Sequence, residues 1–408
     1  MTRPRLIIAP DKEKAIQRRH PWVFSGAVMR VVGNPQDGDL VDVVDRQGTW
    51  LATGHYQAGE SIICKVLSFD TPQVDEAFFR DRLKEAVCYR CRLGFFDYCM
   101  PGRQNEGGAH LTNVFRLVHA EGDYLPGLVA DWYNGVLVLQ AHSVGMHRLF
   151  PQFTGLLADL LKPYGLQAVF DKSSATVPDG SADGYLWGIE PREHEVTENG
   201  IRLLINFLEG QKTGFFIDQR ENRRLVQELA RGHHVLNCFG YTGGFSLAAL
   251  RGGAVRAETV DISKKAIELC NRNVQMNFGS DAPHQGTVAD VLQYIQTLKQ
   301  SSCPPFDFII LDPPAFAKNH RSLQQGLKGY RAINQSALKA LPAGGLLMTF
   351  SCSQAVSSDD FQTMAFTAAM MAGRRVRIVR RLPHAMDHPV SIHHPEGEYL
   401  KGLLLQVE

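Results

Sequence analysis

A chain of 408 residues with 44% hydrophobic content has the composition of a folded globular protein of two or three domains, not of a short secreted scaffold held by disulfides. With 43 Lys and Arg against 42 Asp and Glu, net charge does not announce a nucleic-acid partner, so any such surface must be local. No apolar run reaches the ~20 residues of a membrane-spanning helix, and the opening MTRPRLIIAPDKEK lacks a cleavable signal pattern, so a cytoplasmic protein with no membrane partner and free cysteines is expected.

Residues 1–72 read as short apolar stretches cut by turn signals such as Gly33-Asn34-Pro35 and Asp37-Gly38, a small β-rich module with strands at 40–44 and 61–67. Its first 30 residues are locally basic, which makes Lys12, Arg18 and Arg19 candidate phosphate contacts; a solvated basic face is the plainer reading. Residues 73–190 form an α+β middle segment with a helix over 74–93, a polar break at 102–108, a strand at 136–140, a helix over 146–161 and a loop at 177–184.

From 191 to 408 the pattern becomes strand, loop, helix, repeated: strands at 234–239, 258–260, 306–311 and 346–350, with helices over 245–252 and 263–276. Continuous apolar runs suit strands buried on both faces of a parallel sheet, so this half is expected to be a doubly wound α/β domain. Ligands of such sheets sit beyond the carboxyl ends of the strands. Four polar segments occupy those places: the loop Asn237, Cys238, Phe239, Gly240, Tyr241, Thr242, Gly243; Asp261 with Ile262; Asp312-Pro313-Pro314; and Ser351-Cys352-Ser353.

A glycine turn followed about twenty residues later by an acid suits a ribose diol, hence an adenosine ligand, and Gly240-x-x-Gly243-Gly244 departs from the dinucleotide fingerprint. Asp290, ahead of Val291, either reaches an adenine amino group or caps a helix. Asp218 with Glu221 fits a helix-start box, while Arg220 is either a partner for a ligand carboxylate or a surface ion pair. Cys352 is either a nucleophile or a buried structural thiol. Asp312 is held by two prolines, as a base-reading carboxylate would need to be, or it is a solvated acid on a prolyl turn. Cys88 and Cys91, with Cys99 nearby, have metal-like spacing but no second pair, so no metal is expected. The pairs His233-His234 and His393-His394 lack ligand partners in sequence.

In order, GQKTGFFIDQR, NCFGYTGGFS, VDIS, ADV, LDPPAF and SCS resemble the class I S-adenosylmethionine (SAM) methyltransferases of the RlmI type, bacterial 23S ribosomal RNA cytosine-C5 methyltransferases. His20-Pro21-Trp22-Val23-Phe24-Ser25 looks like their PUA-like RNA-binding module, and Glu121 to Leu128 like their middle segment, so the resemblance covers nearly the whole chain. It implies a Rossmann-like class I methyltransferase domain behind a PUA-like domain and an α+β segment. It further implies that Gln211, Phe216, Asp218, Arg220, the 237–243 loop, Asp261, Ile262, Asp290 and Val291 hold SAM, and that Asp312 and Cys352 meet the base. The two-cysteine arrangement of other RNA cytosine-C5 methyltransferases is absent, because the DPPAF turn carries no Cys.

Carbon 5 of cytosine is a poor nucleophile, so the expected mechanism adds the Cys352 thiolate to carbon 6 while Asp312 steadies nitrogen 3, with the target base flipped out. Lys318, Arg321, Lys328 and Arg331 are expected to contact the RNA backbone, and a homodimer is compatible with this reading. Methylation of an exocyclic amine by the same DPPAF turn, without a nucleophile, is the rival chemistry. A non-catalytic RNA-binding assembly factor is the rival of another class.

Overall fold

The computed structural model describes residues 3–99, 112–177, 182–191, 193–298, 305–317 and 319–408, so the polar break expected at 102–108, Lys318 and much of the 177–184 loop lie outside the described residues. The chain divides into two units. The first is Met1–Gly200 with Ile205–Ile217 and Met386–Gly397; the second is Ile201–Leu204 with Asp218–Ala385 and Glu398–Glu408. Among the described residues no helix is long and apolar enough to cross a membrane.

In the first unit, the strands Arg5–Ile8, Trp22–Phe24, Val28–Val32, Leu40–Val44, Trp50–Tyr56 and Ile62–Ser68 make one sheet around Leu6, Ile8, Val41, Val43 and Val66. A second sheet holds Val114–His119, Leu128–Tyr133, Val136–Ala141, Ala168–Asp171 and Gly184–Gly188. Leu128–Tyr133 and Val136–Ala141 are buried at every residue, so they need cover. The helices Glu76–Arg92 and Phe150–Leu161 contribute Phe79, Leu83, Phe153 and Leu157 to the same core, with the Phe79 and Phe153 rings edge-on at 5.4 Å.

One helix expected over 146–161 is two: Val144–His147, capped by Ser143, and Phe150–Leu161 with Pro151 in its first turn. The physical reason is Pro151, which has no N–H to donate and is tolerated where the first-turn amides have no partner anyway, so a new helix starts there. A buried polar cluster fastens Met386–Gly397 to this unit. Arg90, wholly buried, donates to both Asp123 carboxylate oxygens (2.5 and 2.8 Å), to the Arg116 carbonyl (2.8 Å) and to the Asp387 carbonyl (2.7 Å).

The second unit is built on seven strands, named here in chain order: β1 (His234–Cys238), β2 (Arg256–Asp261), β3 (His284–Val288), β4 (Phe308–Leu311), β5 (Leu346–Ser351), β6 (Val376–Leu382) and β7 (Lys401–Val407). Their spatial order is β3-β2-β1-β4-β5-β7-β6. The first five run parallel; β7 lies antiparallel to both β5 and β6. Helices α1 (Arg220–Leu229), α2 (Gly244–Arg251), α3 (Lys264–Phe278), α4 (Val291–Leu298), α5 (Leu323–Ala340) and α6 (Ser358–Ala372) complete a doubly wound α/β unit. Apolar β4 is buried at all four residues, as its run predicted, whereas the edge strand β6 exposes Arg377, Arg380 and Arg381, charges that discourage pairing with another chain.

Candidate active site at the carboxyl edge of the seven-stranded sheet

Register brings the predicted segments to one level. Cys238, the last residue of β1, is paired with Val260 on β2 and Leu311 on β4, so the glycine loop, Asp261 and Asp312 all begin one residue beyond the same row. The strand order reverses between β1 and β4, the switch point where open α/β sheets leave a crevice.

The glycine loop is unusual backbone. Phe239 (φ 57°) and Tyr241 (φ 46°) both adopt the left-handed region that non-glycine residues avoid, and Gly243 (φ 86°) starts α2. A side chain at Gly240 would run into the Thr259 methyl and the Asn237 amide, and one at Gly243 into the Cys270 sulfur. The loop is held from outside: the Tyr241 amide donates to Asp261 (3.0 Å), whose other oxygen accepts from the Ser263 amide (2.8 Å).

Beneath it, the wholly buried Asn237 amide donates to Ser246 (3.1 Å), which is 2.6 Å from Thr259; Thr259 lies 2.8 Å from His284, whose pKa burial pushes down to about 4. Asn237 therefore supports the loop from inside through its amide nitrogen, while its Oδ1 has no partner among the described residues, and Val291 is only 3% exposed.

Thr242 presents the same feature. Its Oγ1 is buried and finds no partner among the described residues. Ile262 is 75% exposed beside Asp261, an open apolar side chain next to the loop's acid. Together with the bare backbone at Gly240, these features fit a nucleoside cofactor. Asp290 is exposed, and its carboxylate accepts from the Gln293 amide (2.9 Å), so the capping role is realised while its outer face stays open.

Asp218 does not form the expected helix-start box: Gln219 is the N-cap of α1, without a side-chain bond, because a short 3-10 turn over Ile217–Gln219 precedes the helix. Its carboxylate instead accepts from the Tyr399 hydroxyl (2.7 Å), and its carbonyl from the Ala385 amide (3.1 Å). Arg220 is 2% exposed, so it is not a surface ion pair even though its Nε is 3.3 Å from Glu221. Gln211 and Phe216 belong to the first unit, where the Lys212 ammonium lies over the Phe216 ring at 4.6 Å.

Cys352 and the DPP turn do meet. The half-buried Cys352 sulfur is 3.9 Å from the Pro313 carbonyl, immediately after Asp312. The other described thiols of this unit, Cys238 and Cys270, are fully buried, and burial raises both, Cys270 to about 11. Lys401, in the EYLKG stretch near the end of the sequence and in none of the motifs above, also reaches this edge. Only 6% exposed, its ammonium donates to the Ser353 carbonyl (2.6 Å) and the Tyr399 carbonyl (2.7 Å). The available signal was a lysine opening the apolar run Lys401–Val407.

Of the expected RNA contacts, Lys12, Arg18 and Arg19 are exposed in the first unit, Arg19 paired with Asp70 at 2.5 Å. In the second unit Arg321 and Lys328 are exposed and Arg331 is half-buried. The Cys91 sulfur sits 3.3 Å from the Tyr164 hydroxyl, and His394 packs against Trp22 with ring centroids 4.4 Å apart, so packing accounts for both.

Comparison with known proteins agrees with this geometry. Residues 115–390 match the family model described as S-adenosylmethionine-dependent methyltransferase, and residues 6–69 match a PUA-like domain model. The chain is 37% identical over 412 residues to a protein named ribosomal RNA large subunit methyltransferase I from Escherichia coli (strain SMS-3-5 / SECEC), covering 99% of both chains. It is 37% identical over 409 residues to one of the same name from Shigella dysenteriae serotype 1, covering 99% of this chain and 98% of that one. A solved structure of a candidate SAM-dependent methyltransferase from Streptococcus mutans superposes with a TM-score of 0.82 at 22% identity, covering 99% of this chain and all of the other. A second, complexed with SAH, gives 0.83 at 22% identity with the same coverage.

Proposed function

This chain belongs to the S-adenosylmethionine-dependent methyltransferase family, and from that premise we propose that it methylates carbon 5 of a cytosine in large-subunit (23S) ribosomal RNA, with Cys352 as nucleophile. The observation that carries the chemistry is the Cys352 sulfur 3.9 Å from the carbonyl of Pro313, the residue after Asp312, at the carboxyl edge of the sheet. The name borne by the relatives supports the RNA class.

Bound SAM supplies an electrophilic methyl group on a sulfonium. Gly240, Thr242, Asp261, Ile262 and Asp290 would hold it: the loop backbone and the Thr242 hydroxyl polar, the Ile262 side chain apolar, the two carboxylates toward hydroxyl and amino groups. Cys352 adds to carbon 6 of the flipped base, its sulfur lone pair forming the new bond while the π electrons shift toward carbon 5. Asp312 steadies the ring at nitrogen 3. Carbon 5 then takes the methyl group, and loss of its proton to a base returns the electrons that expel Cys352 as thiolate. Arg321, Lys328 and Arg331 in one unit and the PUA-like module with Lys12, Arg18 and Arg19 in the other supply phosphate contacts that hold the RNA without reading its sequence. The setting for such a reaction is the cytoplasm.

The test incubates the purified chain with isotopically labelled SAM and under-modified ribosomal RNA, and identifies the product nucleoside by mass spectrometry. Wild type should form 5-methylcytosine, and Cys352→Ala should lose at least about a thousandfold in rate. A methylated exocyclic amine made equally well by Cys352→Ala would replace this reading with amine methylation; RNA binding with no methyl transfer would replace it with an assembly role.

A further inference from the structure

The thiolate that opens this reaction needs a reason to exist near neutral pH. Around Cys352 stand Asp312 after β4, the buried Tyr330 of α5 and Lys401, the first residue of β7, with Glu398 beside Lys401. Of these four side chains, two are acids and one a phenol that burial keeps neutral; Lys401 alone can carry positive charge. It reaches the site because β7 runs antiparallel to β5 with Lys401 opposite Ser351, so its side chain folds over the turn that carries Cys352 and donates to the carbonyl of the next residue, Ser353, at 2.6 Å.

We propose that Lys401 is the positioning cation of Cys352: a buried ammonium, clamped by the Ser353 and Tyr399 carbonyls, that holds the thiol as thiolate for attack and stabilises it again as the leaving group. Two carbonyls orient an ammonium but do not neutralise it, and a buried lysine without an anion would lose its proton. Burial does lower Lys401, to about 8, while Cys352 and Glu398 both act in the opposite direction, toward the charged form. By linkage, whatever Cys352 does to Lys401, Lys401 does to Cys352: the same attraction favours the thiolate. No proton moves from Lys401 in this scheme; its charge offsets that of sulfur before the carbon 6 bond forms and after it breaks. The inference rests on Cys352 acting as the nucleophile.

The experiment is thiol titration rather than turnover. Iodoacetamide labelling of Cys352, read from its own peptide by mass spectrometry, is followed between about pH 6 and pH 10 in wild type, Lys401→Met and Lys401→Arg, each first shown to bind SAH and so to be folded. The expected result is a midpoint raised by about one pH unit or more in Lys401→Met, which is about a tenfold loss of thiolate at a given pH below it, and a midpoint close to wild type in Lys401→Arg. An unmoved midpoint in Lys401→Met, or an equal rise in both variants, overturns the proposal. Failure of the nucleophile reading appears separately, as undiminished methyl transfer by Cys352→Ala.

Discussion

Removing one member of the Arg90–Asp123 pair should cost far more than removing both charges. Arg90 is wholly buried and Asp123 nearly so, and the pair shares two charge-assisted bonds; Asp123 also accepts from the His119 amide. Asp123→Asn leaves a buried guanidinium with no carboxylate, and Arg90→Met leaves a buried carboxylate with one amide; each should destabilise the first unit by about 3–5 kcal/mol. The double variant has no stranded charge. It forfeits mainly the two bonds to the Arg116 and Asp387 carbonyls, at about 1 kcal/mol each, so it should lose only about 2–3 kcal/mol against the 6–10 kcal/mol that additivity demands, roughly. Urea unfolding followed by tryptophan fluorescence measures this in one unit, because all four tryptophans, Trp22, Trp50, Trp132 and Trp187, belong to the first. A double variant whose loss equals the sum of the singles would refute the argument, since it would mean the two charges are not each other's solvation.

Thr242→Val removes a buried hydroxyl that has no partner among the described residues, so the apo chain should be unchanged or gain up to about 1 kcal/mol, seen as a higher melting temperature, while calorimetry finds weaker SAH binding. A stability loss with unchanged SAH affinity would count against the hydroxyl's role. Gly240→Ala places a methyl against Thr259 and Asn237 under the loop and should weaken SAH binding by roughly 1–3 kcal/mol with native circular dichroism; full affinity would show that Thr259 and Asn237 yield to the methyl without moving the loop.

Much of the site is legible in the chain because its parts are short and local. A strand's apolar run, the turn that ends it and the acid or thiol just past the turn are neighbours in sequence, so Asp261, Asp312 and Cys352 could be placed at strand ends without knowing any contact. Roles that depend on which way a side chain turns were not readable. Asn237 sits in the loop motif yet points inward to Ser246, and Asp218 has the spacing of a helix cap yet serves Tyr399, far along the chain. The left-handed conformations of Phe239 and Tyr241 carry no glycine to announce them.

Sequence alone determined the alternation of strand and helix, the doubly wound class of the C-terminal half and the β-rich start, since these follow from periodicity and from glycine and proline placed at turns. Only the tertiary structure decided that Met386–Gly397 packs with the N-terminal unit through Arg90 and Asp387, and that β7 inserts between β5 and β6 to bring Lys401 to the Ser353 carbonyl. Strand order, register and the pairing of buried charges join segments far apart in the chain, and their energies come from contacts that local pattern does not encode.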